Sequence, residues 1–194
     1  MDDRHEQARD VIRQIGIGED WLAVVDSSIP PALMGLLTAT LEAYGRADLD
    51  ALLTGAAPDL VIVQPPELPA SRSYTGRDGL IEALLDWPRQ WADFRMEPRR
   101  IFGVDDEHVV FVTLHRGRPH SVDIEVGAEF AFLIRWQDGL VTRWDMFMTE
   151  EEALGRAAER RADAGDDDAA ERDGRERAQE AGPEEARANH GQRQ

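Results

Sequence analysis

The sequence predicts an α+β domain in which N-terminal helices pack on a curved antiparallel sheet. Three observations carry that reading. Apolar residues recur at helical spacing between residues 31 and 94, and the period then changes to two. An Asp-Gly pair at 138–139 separates two alternating runs, the strongest short signal for a tight hairpin. Helices laid over one face of an antiparallel sheet bury the apolar side of both layers.

The elements follow in order. Residues 1–30 read as a partly helical leader: Val11, Ile12 and Ile15, then Trp21, Leu22 and Val25, suit short amphipathic helices broken around Gly16 and Gly18. The Gly16-Ile17-Gly18 run lacks a preceding strand and a third glycine, so it reads as a turn and not as a nucleotide fingerprint. The main domain spans residues 31–154. Pro31 starts a helix in which Leu33, Leu36, Leu37, Leu41 and Tyr44 share a face up to Gly45. Asp48 caps a second, short helix through Leu49, Leu52 and Leu53, ending near Gly55. Leu60 to Val63 is a strand stopped by Pro65-Pro66. A third helix is expected from Gly79 to Phe94, kinked by Pro88. Four strands then fall at about 95–102, 108–117, 122–137 and 140–148, and Thr149 with Glu152 forms a capping box for a closing helix.

Residues 155–194 contain no Val, Ile, Leu, Met, Phe, Trp or Tyr, and carry 11 acids and 8 arginines. Such a segment cannot offset its ordering entropy by burial, so it is expected to be a disordered tail, with room for transient helix near Arg156–Arg161. A solvated tail is the simpler reading; a partner-binding tail is the alternative.

Composition removes whole classes of chemistry. The chain has no cysteine and no lysine, all 22 of its basic residues being arginine. Thiolate nucleophiles, cysteine-held zinc, disulfides, Schiff-base lysines and Walker-type phosphate loops are therefore excluded. A net charge of −17 speaks against nucleic-acid partners. No apolar run approaches the roughly 18 residues that span a bilayer. The acidic N-terminus lacks the pattern of a signal peptide, so no membrane role and a cytoplasmic location are expected.

Strand alternation indicates which side chains face inward. In the run from Asp123 to Trp136 the even residues Ile124, Val126, Ala128, Phe130, Phe132, Ile134 and Trp136 are apolar and are expected inside. Trp144, Met146 and Met148 follow the same parity, which puts Arg143 and Asp145 outside. In the preceding strand Val110, Val112 and Leu114 are expected inside, with Val109, Phe111, Thr113 and His115 outside. The outer residues Val109, Phe111, Ala131, Leu133 and Phe147 would then form an apolar patch through which a homodimer is expected.

Several stretches resemble a known family. Leu41 to Leu53, Ala57-Pro58-Asp59, Tyr74 to Gly79, Trp91 to Phe94 and Asp138 to Trp144 are similar to the SnoaL-like proteins of the NTF2-like superfamily, over roughly Pro31 to Leu154. The resemblance implies a cone-shaped α+β fold, usually dimeric, with a cavity between curved sheet and helices. Its members include polyketide cyclases, ketosteroid isomerases, limonene epoxide hydrolases, dehydratases and non-catalytic binding modules, so fold alone does not fix function.

The catalytic versions can be tested residue by residue. On the family pattern Gln64 falls where ketosteroid isomerases carry the base, Thr40 where they carry the tyrosine and Phe132 where they carry the protonated acid. Gln64 cannot take up a proton and Phe132 cannot donate one, so that activity is not expected. Limonene epoxide hydrolases need an asparagine, and the only one here is Asn189 in the tail. Cyclases of this fold use a histidine and an aspartate; the nearest candidates are His115 or His120 with Asp145, and the parity reading places His115 and Asp145 outside. His120, Ser121 and Asp123 are the residue types of a triad, but such close neighbours cannot converge. His115 and His120 match no standard metal spacing, and neither a metal nor a cofactor is expected.

What remains is an apolar cavity with few polar handles, which suits a small-molecule site. The expected ligand-binding residues are Tyr44, Gln64, Trp87, Leu114, Phe130, Phe132, Trp144, Met146 and Met148, with His115 and Asp145 as the catalytic candidates. The function expected is the binding of a small apolar or polycyclic ligand. The alternative is a cyclase, isomerase or hydrolase type of enzyme, which an ionisable side chain with a strongly shifted pKa inside the cone would favour.

Overall fold

The structure is a computed structural model describing residues 3–17, 20–68, 71–120 and 123–162. Helices α1 (Asp3–Ile15) and α2 (Asp20–Ala23) form the leader, followed by α3 (Pro31–Gly45) and α4 (Leu49–Gly55). Strands β1 (Ala56–Val63) and β2 (Ser73–Thr75) lead into α5 (Gly76–Asp86), and β3 (Trp91–Gly103), β4 (His108–Pro119), β5 (Val126–Gln137) and β6 (Leu140–Phe147) complete the sheet. The strand order is β2-β1-β6-β5-β4-β3. All neighbours are antiparallel except β1 and β6, which run parallel with Ile62 opposite Trp144.

The local signals that place these elements are the expected ones. Pro31 occupies the first turn of α3, where its missing N–H costs nothing. Asp48 caps α4 by accepting from the Ala51 N–H at 3.0 Å. Asp138 and Gly139 both have positive φ, as a two-residue hairpin of this twist requires. Thr149 Oγ1 accepts from the Glu152 N–H at 3.2 Å, while Glu152 Oε2 accepts from the Thr149 N–H at the same distance, which closes the capping box.

Three readings are corrected. The third helix ends at Asp86, and after a short turn at Pro88–Gln90 the chain is already extended at Trp91. Pro88 ends this helix and does not kink it, because the ring opens a tight turn instead of continuing the ladder. Strand β5 begins only at Val126; Ile124 is 68% and Val126 39% exposed, because this end of the strand is not covered. The closing helix runs over residues 150–162, which takes in the stretch Arg156–Arg161 where helix has room in the expected tail, and Arg156 pairs with Glu159 at 3.1 Å. The rest of that tail, from residue 163, lies outside the described residues.

The third correction concerns β4. Phe111, Thr113 and His115 sit opposite Phe132, Phe130 and Ala128 of β5. Directly opposed residues share a face, so the odd residues of β4 belong to the concave, helix-covered side. Val109 and Phe111 accordingly pack in the core with Ile101, Leu37 and Trp136. Leu114 lies on the convex side. Of the apolar patch expected there, Val109 and Phe111 face inward and Ala131 and Leu133 are fully buried within the chain, which leaves Phe147 partly exposed. Arg100, opposite Val112 on β3, makes an ion pair with Glu150 at the start of the last helix.

The leader is an integral part of the core. Ala8 and Ile12 are buried with Leu49, Leu80 and Leu84. Trp21 is 2% exposed and packs with Leu33, Leu37 and Phe132. Its downstream end is stitched to β3, where the Asp26 N–H donates to the Ile101 carbonyl at 2.7 Å and the Ile101 N–H to the Val24 carbonyl at 3.1 Å. Among the described residues no helix is long and apolar enough to cross a membrane.

Candidate functional site: a double cavity inside the cone

Two adjoining cavities lie between the helices and the concave face of the sheet, of about 90 Å³ and about 70 Å³. Ile15, Leu84, Met96, Phe132 and Trp144 form walls of both. The larger is bounded by α3 through Thr40, Leu41 and Tyr44, by the leader through Ile15, Ile17 and Trp21, and by the sheet through residues such as Phe111 and Thr113. The smaller is bounded by Gln64, Trp87, Phe94, His115 and Met146, among others. Among the described residues, no aspartate, glutamate or arginine side chain lines either one.

His115 is the polar centre of the smaller cavity. Its place on the concave face follows from the β4–β5 register, and it is 1% exposed. The rings of Phe94, Phe130 and Phe132 surround it with centroids 4.7 to 5.7 Å away. The Trp87 indole N–H donates to Nδ1 at 3.2 Å, so Nδ1 is the acceptor and Nε2 carries the proton of a neutral imidazole. Nε2 is buried without a hydrogen-bond partner. Burial among apolar rings pushes the His115 pKa down to about 3. The ring is therefore uncharged at neutral pH and a poor proton acceptor there, but it can donate a hydrogen bond.

Other polar groups are arranged around this double cavity. Tyr44 borders the larger part, and burial pushes its hydroxyl above the ordinary phenol value. Thr40 Oγ1 is occupied by the Leu36 carbonyl at 2.9 Å. The hydroxyl of Thr113 and the indole N–H of Trp21 are buried without partners. At the rim, the Gln64 side-chain oxygen accepts from the Arg72 N–H at 3.4 Å. Arg72 also donates to the Tyr74 hydroxyl at 3.2 Å and pairs with Asp86, which fixes the edge of the sheet beside Gln64.

Of the expected ligand-binding residues, the structure places Tyr44, Gln64, Trp87, Phe132, Trp144 and Met146 in the cavity walls. Phe130 stands behind His115 and Trp87, and Met148 packs against the core outside both cavities. Leu114 is on the opposite face of the sheet, because the register of β4 is shifted by one residue from the expected parity. The same shift brings His115 inside. Asp145 stays on the convex side as expected, where both carboxylate oxygens accept from Arg143 Nε at 2.9 and 3.0 Å. His115 and Asp145 are thus separated by the sheet and do not form a pair. His120 is exposed at the end of β4, and Ser121 lies outside the described residues. Among the described residues no three His, Asp or Glu side chains gather as metal ligands. Sequence reading missed Ile15, Ile17, Trp21, Met96 and Thr113; the recurrence of Ile12, Ile15 and Trp21 in the leader is the available signal for Ile15 and Trp21.

A six-stranded sheet curved under helices, with an apolar cavity in its concave face, defines the class as the cone-shaped NTF2-like fold. The chain belongs to the SnoaL-like family, whose domain matches residues 37–144. Solved structures agree in fold. An NTF2-like protein from Burkholderia thailandensis E264 is 15% identical with a TM-score of 0.52, covering 64% of this chain and 95% of its own. An NTF2-like protein of unknown function from Burkholderia pseudomallei K96243 is 20% identical with a TM-score of 0.50, covering 62% and 93%. A protein from Jannaschia sp. CCS1 named as a SnoaL-like polyketide cyclase is 13% identical with a TM-score of 0.50, covering 63% and 90%. At these identities the likeness is one of fold alone. No curated protein matches the chain.

Proposed function

We propose that the protein binds a small, uncharged, largely apolar molecule of about single-ring size inside the cone. The observation that carries this reading is the double cavity itself, whose walls contain no charged side chain among the described residues. An ionised ligand would lose its hydration there without gaining a counter-charge. Size supports a single ring over a polycycle. An apolar cavity of about 150 Å³ accepts benzene, which neither chamber matches alone at about 90 and about 70 Å³. A ring would therefore occupy both, with Met96, Phe132 and Trp144 adjusting between them.

The test uses three probes of similar size. Acetophenone and ethylbenzene are expected to raise the thermal midpoint in proportion to the logarithm of their concentration, and benzoate at neutral pH is expected to leave it unchanged. Equal stabilisation by benzoate, or none by any of the three, removes this reading.

A second reading has one specific observation in its favour. His115 is an ionisable side chain inside the cone with a strongly lowered pKa, as an enzyme of the cyclase, isomerase or hydrolase type would carry. The neutral ring could polarise a carbonyl by donating from Nε2. Among the described residues that line the cavities no carboxylate stands beside it as a base, Asp145 facing the other way. Recovery of the bound probe chemically unchanged after prolonged incubation supports binding without reaction; a change that depends on His115 supports the enzyme.

A further inference from the structure

The family match begins at residue 37, yet part of the larger cavity's wall lies before it, in Ile15, Ile17 and Trp21. These residues are held from both sides. Upstream, Ala8 and Ile12 are locked into the core, and Arg9 and Arg4 reach Asp50 and Glu82 at 3.1 and 3.4 Å. Downstream, the chain is hydrogen-bonded to β3 through Val24 and Asp26. The wall is thus built into the fold.

It also carries a chemical handle. Trp21 is 2% exposed, and its indole N–H, a group that can only donate, has no partner. On the sheet side of the same cavity the Thr113 hydroxyl, on a residue with 0% exposure, is likewise unpartnered. Buried polar groups are normally satisfied, and two left over on residues that line one apolar cavity are unusual. Each would recover a hydrogen bond from a ligand that brings an oxygen atom.

We infer that the leader is the specificity-determining wall of the cavity, and that the Trp21 indole N–H receives the acceptor oxygen of a neutral ligand such as a ketone or an ether. This rests on reading the cone as a binding cavity. Ile17 sets how much room lies beside that oxygen, and Thr113 borders it from the sheet.

The experiment compares acetophenone with α-methylstyrene, which has the same shape but no oxygen, on the full chain by calorimetric titration. Trp21→Phe keeps an aromatic ring and removes the N–H. It is expected to weaken acetophenone about tenfold, the size of one neutral hydrogen bond, while α-methylstyrene binding stays within about twofold. Ile17→Ala is expected to favour propiophenone, one methylene longer, over acetophenone by about fivefold relative to the unaltered chain, as one extra buried methylene allows. The Trp21 indole N–H resonance, assigned through its contacts with neighbouring protons, is expected to shift on adding acetophenone and not α-methylstyrene. This last readout needs no variant and decides the matter if Trp21→Phe fails to fold. If the unaltered chain binds the probes and neither variant nor the resonance responds, the inference is overturned while the cavity reading stands. If the unaltered chain binds none of them, the cavity reading falls and takes the inference with it.

Discussion

Gly117→Ala is expected to destabilise the fold by at least about 3 kcal/mol and to lower the thermal midpoint by roughly 10 °C. Gly117 lies on β4 opposite Phe94, beside the point where the β3 register shifts between Trp91 and Asp93. A Cβ added there would collide with the Asp93 carbonyl oxygen and stand 3.0 Å from the Trp91 ring. A backbone oxygen cannot swing away as a side chain can. This one is also held, because the Asp93 carboxylate accepts from the Arg118 backbone N–H at 2.8 Å and from its Nε at 2.9 Å. Gly127→Ala is the matched control. Its Cβ would make only ordinary contacts from 3.6 Å outward, so a change within about 1 kcal/mol is expected there. Urea unfolding of the two variants beside the parent chain measures both, and a Gly117→Ala protein as stable as the Gly127→Ala one contradicts the geometry of the bulge.

Acid is expected to destabilise the protein well before its carboxylates titrate. In the unfolded chain His115 takes up a proton near its ordinary value of 6.5, whereas in the fold it does so only near pH 3. Between these values the unfolded state holds one more proton, so stability is full above about pH 6.5 and falls as the pH drops. The slope attributable to this ring approaches about 1.4 kcal/mol per pH unit, and roughly 4 to 5 kcal/mol is lost by pH 3. The groups packed around the ring, Trp87, Phe94, Phe130 and Phe132, do not titrate in this range and cannot compensate. His115→Phe keeps an aromatic ring in the same box but leaves the Trp87 N–H without its acceptor. That variant is expected to be about 1–3 kcal/mol less stable than the parent at pH 7, and to lose distinctly less between pH 6 and pH 4. Unfolding midpoints across that interval provide the check; parallel pH profiles for the two proteins contradict the assignment.

The parts of the fold that could be read from sequence are those fixed by local chemistry. Pro31 and Gly45 bound α3, Asp48 begins α4, Asp138-Gly139 turns the last hairpin, and Thr149 with Glu152 starts the closing helix; each signal acts within a few residues. Strand parity was legible where the two faces differ, as in β5, with glutamate and arginine set between aromatic residues. It failed in β4, where Val109 to Leu114 is apolar or near-apolar on both faces, because both sides of that strand are buried. Only pairing with β5 decides which side faces the helices, and pairing is a long-range property. That one ambiguity moved Leu114 out of the site and His115 into it. The leader's contribution was hidden for a related reason: Ile15, Ile17 and Trp21 line the larger cavity only because α1 and α2 dock on elements distant in sequence.

The parallel pairing of β1 with β6 has a consequence for how the molecule is made. Residues near Ile62 reach their central neighbour only when the strand around Trp144 is in place. The antiparallel β3–β4–β5–β6 meander can assemble from adjacent hairpins, but β1 and β2 must wait for its last strand. Because long-range pairings carry most of the loop-closure cost, joining the two halves of the sheet should be the slow step of folding. On the ribosome, a chain that has emerged only as far as residue 139 lacks the strand joining β1 to β5. Its apolar cone is therefore exposed until the final hairpin arrives, and that interval is when the protein most needs protection from aggregation.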